Sequence, residues 1–134
     1  MVQRPTEQRP SVLLADDDER FRSIVRSVLE DDGYKVVAEA ADATETIERA
    51  RQHRPDVVVL DLVMTGSVGL STARALLADE PFRPVLVISS LFDPMIEQEA
   101  ISLGAWYLEK AEGVDALEHA IESMVSIRNR TTPA

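Results

Sequence analysis

The sequence predicts an α/β domain, a parallel β-sheet covered by helices on both faces. Five short apolar runs, Val12–Ala15, Val36–Ala38, Val57–Leu60, Val85–Ile88 and Trp106–Leu108, alternate with segments of helical period. The runs are continuously hydrophobic where a strand facing water on one side would alternate, which is the pattern of strands buried on both faces. Each gap between runs holds enough chain for a helix, and parallel neighbours need such right-handed crossovers.

Each element has its own local signals. The first run is closed by three aspartates, Asp16-Asp17-Asp18, and a helix follows with Phe21, Ile24, Val25, Val28 and Leu29 on its apolar stripe. Aspartate is a preferred N-cap, so Asp17 or Asp18 can start that helix, and Gly33 stands where its C-terminal cap belongs. The second run leads to a weaker helical pattern through Ile47 and Ala50, which Pro55 ends. Asp61 closes the third run, and a helix from Leu70 to Leu77 follows. After the fourth run come Ser89-Ser90, then Asp93-Pro94 as an N-cap with proline in the first helical position, ahead of Ile96, Ala100 and Leu103. Lys110 follows the fifth run, and a last helix carries Leu117, Ile121, Met124 and Val125 on one stripe. Residues 1–10 and 128–134 are polar, proline-bearing and aperiodic, and are expected to be flexible tails flanking one domain over 11–127.

Composition excludes several functions. A chain of 134 residues is most simply one domain, long enough to bury roughly two-thirds of its unfolded surface. The formal charge of −10 argues against direct binding to nucleic acid, which relies on Lys and Arg to displace counterions. With no cysteine, disulfides, zinc-thiolate sites and thiol catalysis are excluded, and a cytoplasmic location is expected. No stretch approaches the roughly 20 apolar residues of a membrane span, so no membrane partner is expected. His53 and His119 lie in separate helical segments without metal-ligand spacing and read as surface residues.

In an open α/β sheet, ligands bind beyond the carboxyl ends of the strands where the strand order reverses. The residues at those ends are Asp16, Asp17 and Asp18 after the first strand, Asp61 after the third, Ser89 and Ser90 after the fourth, and Lys110 after the fifth. Two carboxylates about 4 Å apart repel by roughly 4 kcal/mol at an effective dielectric near 20, so such a pocket needs a proton or a cation. Hard oxygen donors favour magnesium, with manganese as a substitute. Acids, a hydroxyl and an ammonium around one crevice suit phosphoryl transfer: Asp61 as carboxylate nucleophile, magnesium and Lys110 as counter-charges, a serine as hydrogen-bond donor.

These residues, in this order, resemble a response-regulator receiver domain of two-component signalling. The resemblance runs from Ser11 to about Ser126 and rests on several motifs. They are Val12-Leu13-Leu14-Ala15-Asp16-Asp17-Asp18, Val59-Leu60-Asp61-Leu62-Val63-Met64 with Gly69, Pro84-Val85-Leu86-Val87-Ile88-Ser89-Ser90, and Gly104-Ala105 with Tyr107-Leu108-Glu109-Lys110. Receivers with helix-turn-helix output domains are the nearest subfamily in pattern. The resemblance implies a flavodoxin-like doubly wound (βα)5 fold with a five-stranded parallel sheet of order 2-1-3-4-5. Phosphorylation by a sensor histidine kinase would fall on Asp61. Magnesium would be held by Asp16, Asp17, Asp61 and the Val63 backbone carbonyl. Ser89 resembles the switch hydroxyl, Lys110 the lysine that pairs with the acceptor and then with the phosphoryl group, and Tyr107 the aromatic that turns inward with the switch.

Departures from the family pattern carry their own expectations. Thr65 replaces the common proline after the methionine, implying a looser loop beyond the acceptor. Ala111 replaces the frequent proline after Lys110. The Gly104–Lys110 segment is one residue short, with Trp106 in the gap, which bears on the Tyr107 assignment. Val63 and Leu91 are apolar and cannot orient an attacking water, implying slow loss of phosphate. Output is expected through the fourth helix, fifth strand and fifth helix, where Leu91, Phe92, Ile96 and Trp106 could form an apolar patch for a downstream protein or a homodimer. The resulting reading is a stand-alone receiver, not a turnover enzyme, that catalyses only its own phosphorylation and dephosphorylation. Three alternatives stand beside it: a phosphorylation-independent pseudo-receiver, an aspartyl-phosphate phosphohydrolase, and the receiver part of a longer DNA-binding regulator. Against the phosphohydrolase, Val63 occupies the position where its second catalytic aspartate would stand.

Overall fold

The computed structural model describes residues 9–66 and 68–131. Five parallel strands, β1 (Ser11–Ala15), β2 (Lys35–Ala40), β3 (Val57–Asp61), β4 (Val85–Ser89) and β5 (Trp106–Glu109), form one sheet of order 2-1-3-4-5. Helices α1 (Glu19–Asp31), α2 (Ala43–His53), α3 (Ser71–Asp79), α4 (Pro94–Leu103) and α5 (Val114–Thr131) alternate with them, and a short 3-10 turn, Lys110–Glu112, precedes α5.

All strands but β1 run past their apolar runs at the carboxyl end. Asp61, Ser89 and Glu109 belong to strands because backbone pairing continues past the last hydrophobic residue: Asp61 lies opposite Ile88, and Ser89 opposite Glu109. The edge strand β2 also takes in Lys35, Glu39 and Ala40; the polar Lys35 and Glu39 bound the apolar run and cut the buried Ala40 off from it.

Capping decides the helix starts. Asp18, not Asp17, caps α1, accepting from the backbone N–H groups of Arg20 and Phe21, which leaves Asp17 free of a capping role. Asp93 caps α4 ahead of Pro94. Arg54 ends α2 in the left-handed region at φ 46°, since Pro55 disfavours helical geometry in the residue before it.

The sheet divides the core into two layers. On one face, Leu29, Leu117, Ile121 and Met124 pack α1 and α5 against Val12, Leu14 and Val59, with Tyr34 of the α1–β2 connection beside them. On the other, alanines at 40, 50, 73, 100 and 105 with Leu76 bring α2, α3 and α4 close to Leu13, Val58 and Val87. Each buried Leu or Ile contributes about 1.5–3 kcal/mol, so the first layer is the more expensive to open.

Some residues counted with the expected tails belong to ordered contacts. Helix α5 continues through Thr131, past the expected end at residue 127, because the Arg128 guanidinium reaches back to donate to the Asp56 carbonyl at 3.3 Å. Arg9, counted with the N-terminal tail, lies over the Tyr34 ring at 5.2 Å and pairs with Glu122 at 3.4 Å. Residues 1–8 and 132–134 of the two expected tails lie outside the described residues.

Candidate phosphoacceptor site

The topology gathers the strand-end residues into one crevice. β1 and β3 are neighbours, so Asp16, one residue past β1, stands beside Asp61 at the end of β3. Carboxylate oxygens of Asp16, Asp17 and Asp61 all lie within 4.8 Å of one another, with Asp16 and Asp61 buried and Asp17 exposed. Lys110 spans the two buried acids, its Nζ 2.8 Å from Asp16 Oδ2 and 3.5 Å from Asp61 Oδ2.

The electrostatics match this geometry. Burial, then the neighbouring Asp16 charge, pushes the Asp61 carboxyl up to about 6, against the pull of Lys110 and of the Val63 N–H, which donates to Asp61 Oδ1 at 3.2 Å. For Lys110, burial would lower the ammonium, but pairing with Asp16 and then Asp61 outweighs it and holds the group above its ordinary value. Asp16 Oδ1 accepts from the Asp18 N–H at 2.8 Å, whereas the buried Oδ2 accepts no aligned hydrogen bond despite the nearby ammonium. A buried oxygen with spare acceptor capacity, beside two more carboxylates, is a donor set that fits a hard divalent cation such as magnesium.

The remaining expected residues lie around this centre in other postures. Ser89 is buried and Ser90 exposed; the Ser89 hydroxyl donates to the Leu91 carbonyl at 2.6 Å and accepts from the Leu91 N–H. The Tyr107 hydroxyl donates to that same carbonyl at 3.2 Å and accepts from the Asp93 N–H at 3.4 Å, so its tip is at the surface. Val63 and Leu91 flank the crevice with side chains 71% and 80% exposed, leaving its mouth without a polar group at those positions.

Two expectations change. Thr65 itself is anchored despite replacing the common proline: its carbonyl accepts from the Ala43 N–H at 2.9 Å, and it bridges Asp42 in the manner of a strand. The apolar patch on the output face is built differently, because Ile96 and Trp106 pack into the two core layers while Leu91, Phe92, Met95 and Ile101 are exposed.

Two contributors were not foreseen. The Phe21 ring lies 4.6 Å below Lys110 Nζ, a cation–π contact that helps hold the ammonium over the acids. Arg22 donates from Nη1 to the Asp16 carbonyl at 2.6 Å. Phe21 had an adequate explanation as a helix-stripe residue, and nothing in the sequence spacing signals the reach of Arg22.

Comparison with known proteins agrees with this arrangement. A model of the response regulator receiver domain matches residues 12–122, and the chain belongs to that family, the receivers of two-component signal transduction. It is 33% identical over 116 residues to the transcriptional regulatory protein PdtaR of Mycobacterium tuberculosis, covering 86% of this chain. The chain spans about half the length of that relative, 56%. A protein-glutamate methylesterase/protein-glutamine glutaminase of Nitratidesulfovibrio vulgaris is 42% identical over 98 residues, which are 71% of this chain and 26% of that protein. Among solved structures, a LuxR-family two-component response regulator from an Aurantimonas species superposes with a TM-score of 0.82 at 31% identity, covering 87% of this chain and 85% of that one. The receiver domain of the putative response regulator NarL from Mycobacterium tuberculosis superposes with a TM-score of 0.76 at 31% identity, covering 86% and 98%. Among the described residues no helix is long and apolar enough to cross a membrane.

Proposed function

We propose that this receiver accepts a phosphoryl group on Asp61 from a sensor histidine kinase in a magnesium-dependent reaction and passes the signal on by protein contact. The observation that carries the reading is the convergence of Asp16, Asp17 and Asp61 with Lys110 laid across the two buried acids. An Asp61 oxygen attacks phosphorus, the bond from phosphorus to the kinase imidazole breaks, and its electron pair leaves with the imidazole, which takes up a proton; the product is an acyl phosphate. Lys110 is already placed to exchange part of its contact with Asp61 for phosphoryl oxygens. Magnesium, held by Asp16, Asp17, Asp61 and the Val63 carbonyl, would neutralise charge on the transferring group.

Ser89 and Tyr107 share one acceptor, the Leu91 carbonyl. If the Ser89 hydroxyl turns to donate to a phosphoryl oxygen, it abandons that carbonyl, the loop carrying Leu91 and Asp93 is released, and Tyr107 loses the geometry of both its surface bonds. Only such a difference in interaction between the two states can shift the population. The exposed Leu91, Phe92, Met95 and Ile101 would then change their presentation on the α4–β5–α5 face to a downstream protein or a second copy.

The protein acts on no separate substrate in this reading, and the esterase activity named for one relative is not carried over, because the match covers a quarter of that protein. A cytoplasmic location fits a chain serving a kinase and a protein target. Intact mass after incubation with acetyl phosphate, with and without magnesium, tests the proposal. Wild type should gain one phosphoryl group only with magnesium, and Asp61→Ala none; no gain in wild type would favour the pseudo-receiver.

A further inference from the structure

We infer that Arg22, aimed by Glu39, is a positioning residue that sets the Asp16–Asp17 peptide and thereby the acids of the metal site; the inference rests on the functional reading above. Arg22 lies in the first turns of α1 with its side chain 16% exposed. Its Nη1 donates to the Asp16 carbonyl at 2.6 Å, while its Nε donates to Glu39 Oε1 at 2.7 Å, so one rigid fork joins the acid loop to strand β2. Glu39 is itself held: its other carboxylate oxygen accepts from Arg26, and its carbonyl from Arg49 of α2. Burial would push the Glu39 carboxyl up, but the bonds from Arg22 and Arg26 outweigh it and keep the group ionised below the usual carboxylate range.

The geometry explains why this contact matters to Asp17. The Asp16 N–H donates to the Ala40 carbonyl at 2.9 Å, and Asp16 Oδ1 accepts from the Asp18 N–H, so three sides of Asp16 are fixed, the last of them by Arg22. The Asp16 carbonyl shares a planar peptide with the nitrogen of Asp17, so orienting one orients the other. Among the described residues the Asp17 carboxylate itself has no hydrogen bond or ion pair, and Asp18 is occupied as the helix cap. The placement of Asp17 therefore depends on its backbone, which Asp16 Oδ1 fixes on one side through the Asp18 N–H and Arg22 fixes on the other through the Asp16 carbonyl.

Magnesium binding measured by calorimetry at pH 8, together with thermal melts, tests the inference on wild type, Arg22→Lys, Glu39→Gln and the control Arg51→Gln. Lysine keeps the charge but offers one nitrogen in place of the planar fork whose Nε and Nη1 bond Glu39 and Asp16 in a fixed relative geometry, so affinity should fall about ten-fold, the lower end of the effect of supporting contacts at metal sites. Glu39→Gln, which weakens the aim of the guanidinium, should cost about three-fold by the same reasoning. Arg51→Gln removes a charge that pairs with Asp79, away from Glu39 and the acid loop, and should leave affinity within about two-fold. Wild-type affinity in Arg22→Lys, even with a lowered melting temperature, would make the bond merely structural and overturn the inference while leaving the function standing. Absence of magnesium binding in wild type would take down the functional reading and this inference with it. If Arg22→Lys does not fold, Glu39→Gln decides: unchanged affinity there refutes the positioning role.

Discussion

At the amino end of the sheet, Asp56 accepts from the Ser11 N–H at 2.9 Å and the Ser11 hydroxyl at 3.1 Å, and Arg128 approaches it at 3.9 Å. Nearby, Arg51 and Asp79 pair at 2.8 Å. At the carboxyl end of the same strands, Asp16 and Asp61 are buried side by side, with one lysine between them and an exposed third acid at the rim. Opposite charges are matched at one end and like charges are crowded at the other. The first arrangement joins strands to helices; the second stores unfavourable interaction that a cation or a phosphoryl group can change. Both ends draw on the same residue types, so the difference lies in where the topology sends them.

Removing the lysine should break the balance most severely. Lys110→Met leaves two buried carboxylates without a counter-charge and should cost about 3 kcal/mol at pH 8 in urea unfolding without divalent cations. Added magnesium should recover much of that loss.

Asp61→Asn should move stability the other way. Asp61 titrates at about 6 in the folded protein against an ordinary 3.8, so the fold binds its proton more tightly than the unfolded chain does. The stability due to that proton is fully present below the ordinary value and lost as pH rises through the folded one. The asparagine variant should therefore be more stable than wild type by on the order of 2 kcal/mol at pH 8, a difference that fades toward pH 4.

At the amino end, Asp56→Ala removes acceptors from two Ser11 donors and should cost about 1–2 kcal/mol, with no effect of magnesium on the loss. A smaller change is expected at the mouth of the crevice. Val63→Glu places a group able to orient water beside the acyl phosphate and should speed its hydrolysis about five-fold, equivalent to about 1 kcal/mol, as followed by decay of the phosphorylated mass.

Most of the fold could be read from the sequence because the three central strands, β1, β3 and β4, are buried on both faces and print themselves as uninterrupted apolar runs, while the half-buried edge strands β2 and β5 still carry shorter ones. The acids and Lys110 could be read for a related reason: polar residues interrupt such runs only where the strands end. What stayed hidden depends on side-chain reach and on pairing through polar residues. Asp61 and Ser89 are strand residues by backbone hydrogen bonding, which hydrophobic pattern does not register. The extension of α5 relies on Arg128 meeting Asp56, 72 residues away in sequence. Phe21 serves the apolar stripe and the ammonium of Lys110 at once, and helical period reveals only the first role. The triplet Asp16-Asp17-Asp18 offers two candidate caps by residue type alone; Asp18 takes the role through its bonds to Arg20 and Phe21, which frees Asp17 for the site.

The most direct test of the contrast between the two ends is the titration of the Asp61 side-chain carboxyl carbon by NMR between pH 3 and pH 8, with and without magnesium. Crowding at the carboxyl end predicts a midpoint near 6 in the metal-free protein, falling to the ordinary carboxylate range or below when magnesium is added. A midpoint near the ordinary value that magnesium does not move would contradict both the strained acid pair and the metal site built on it.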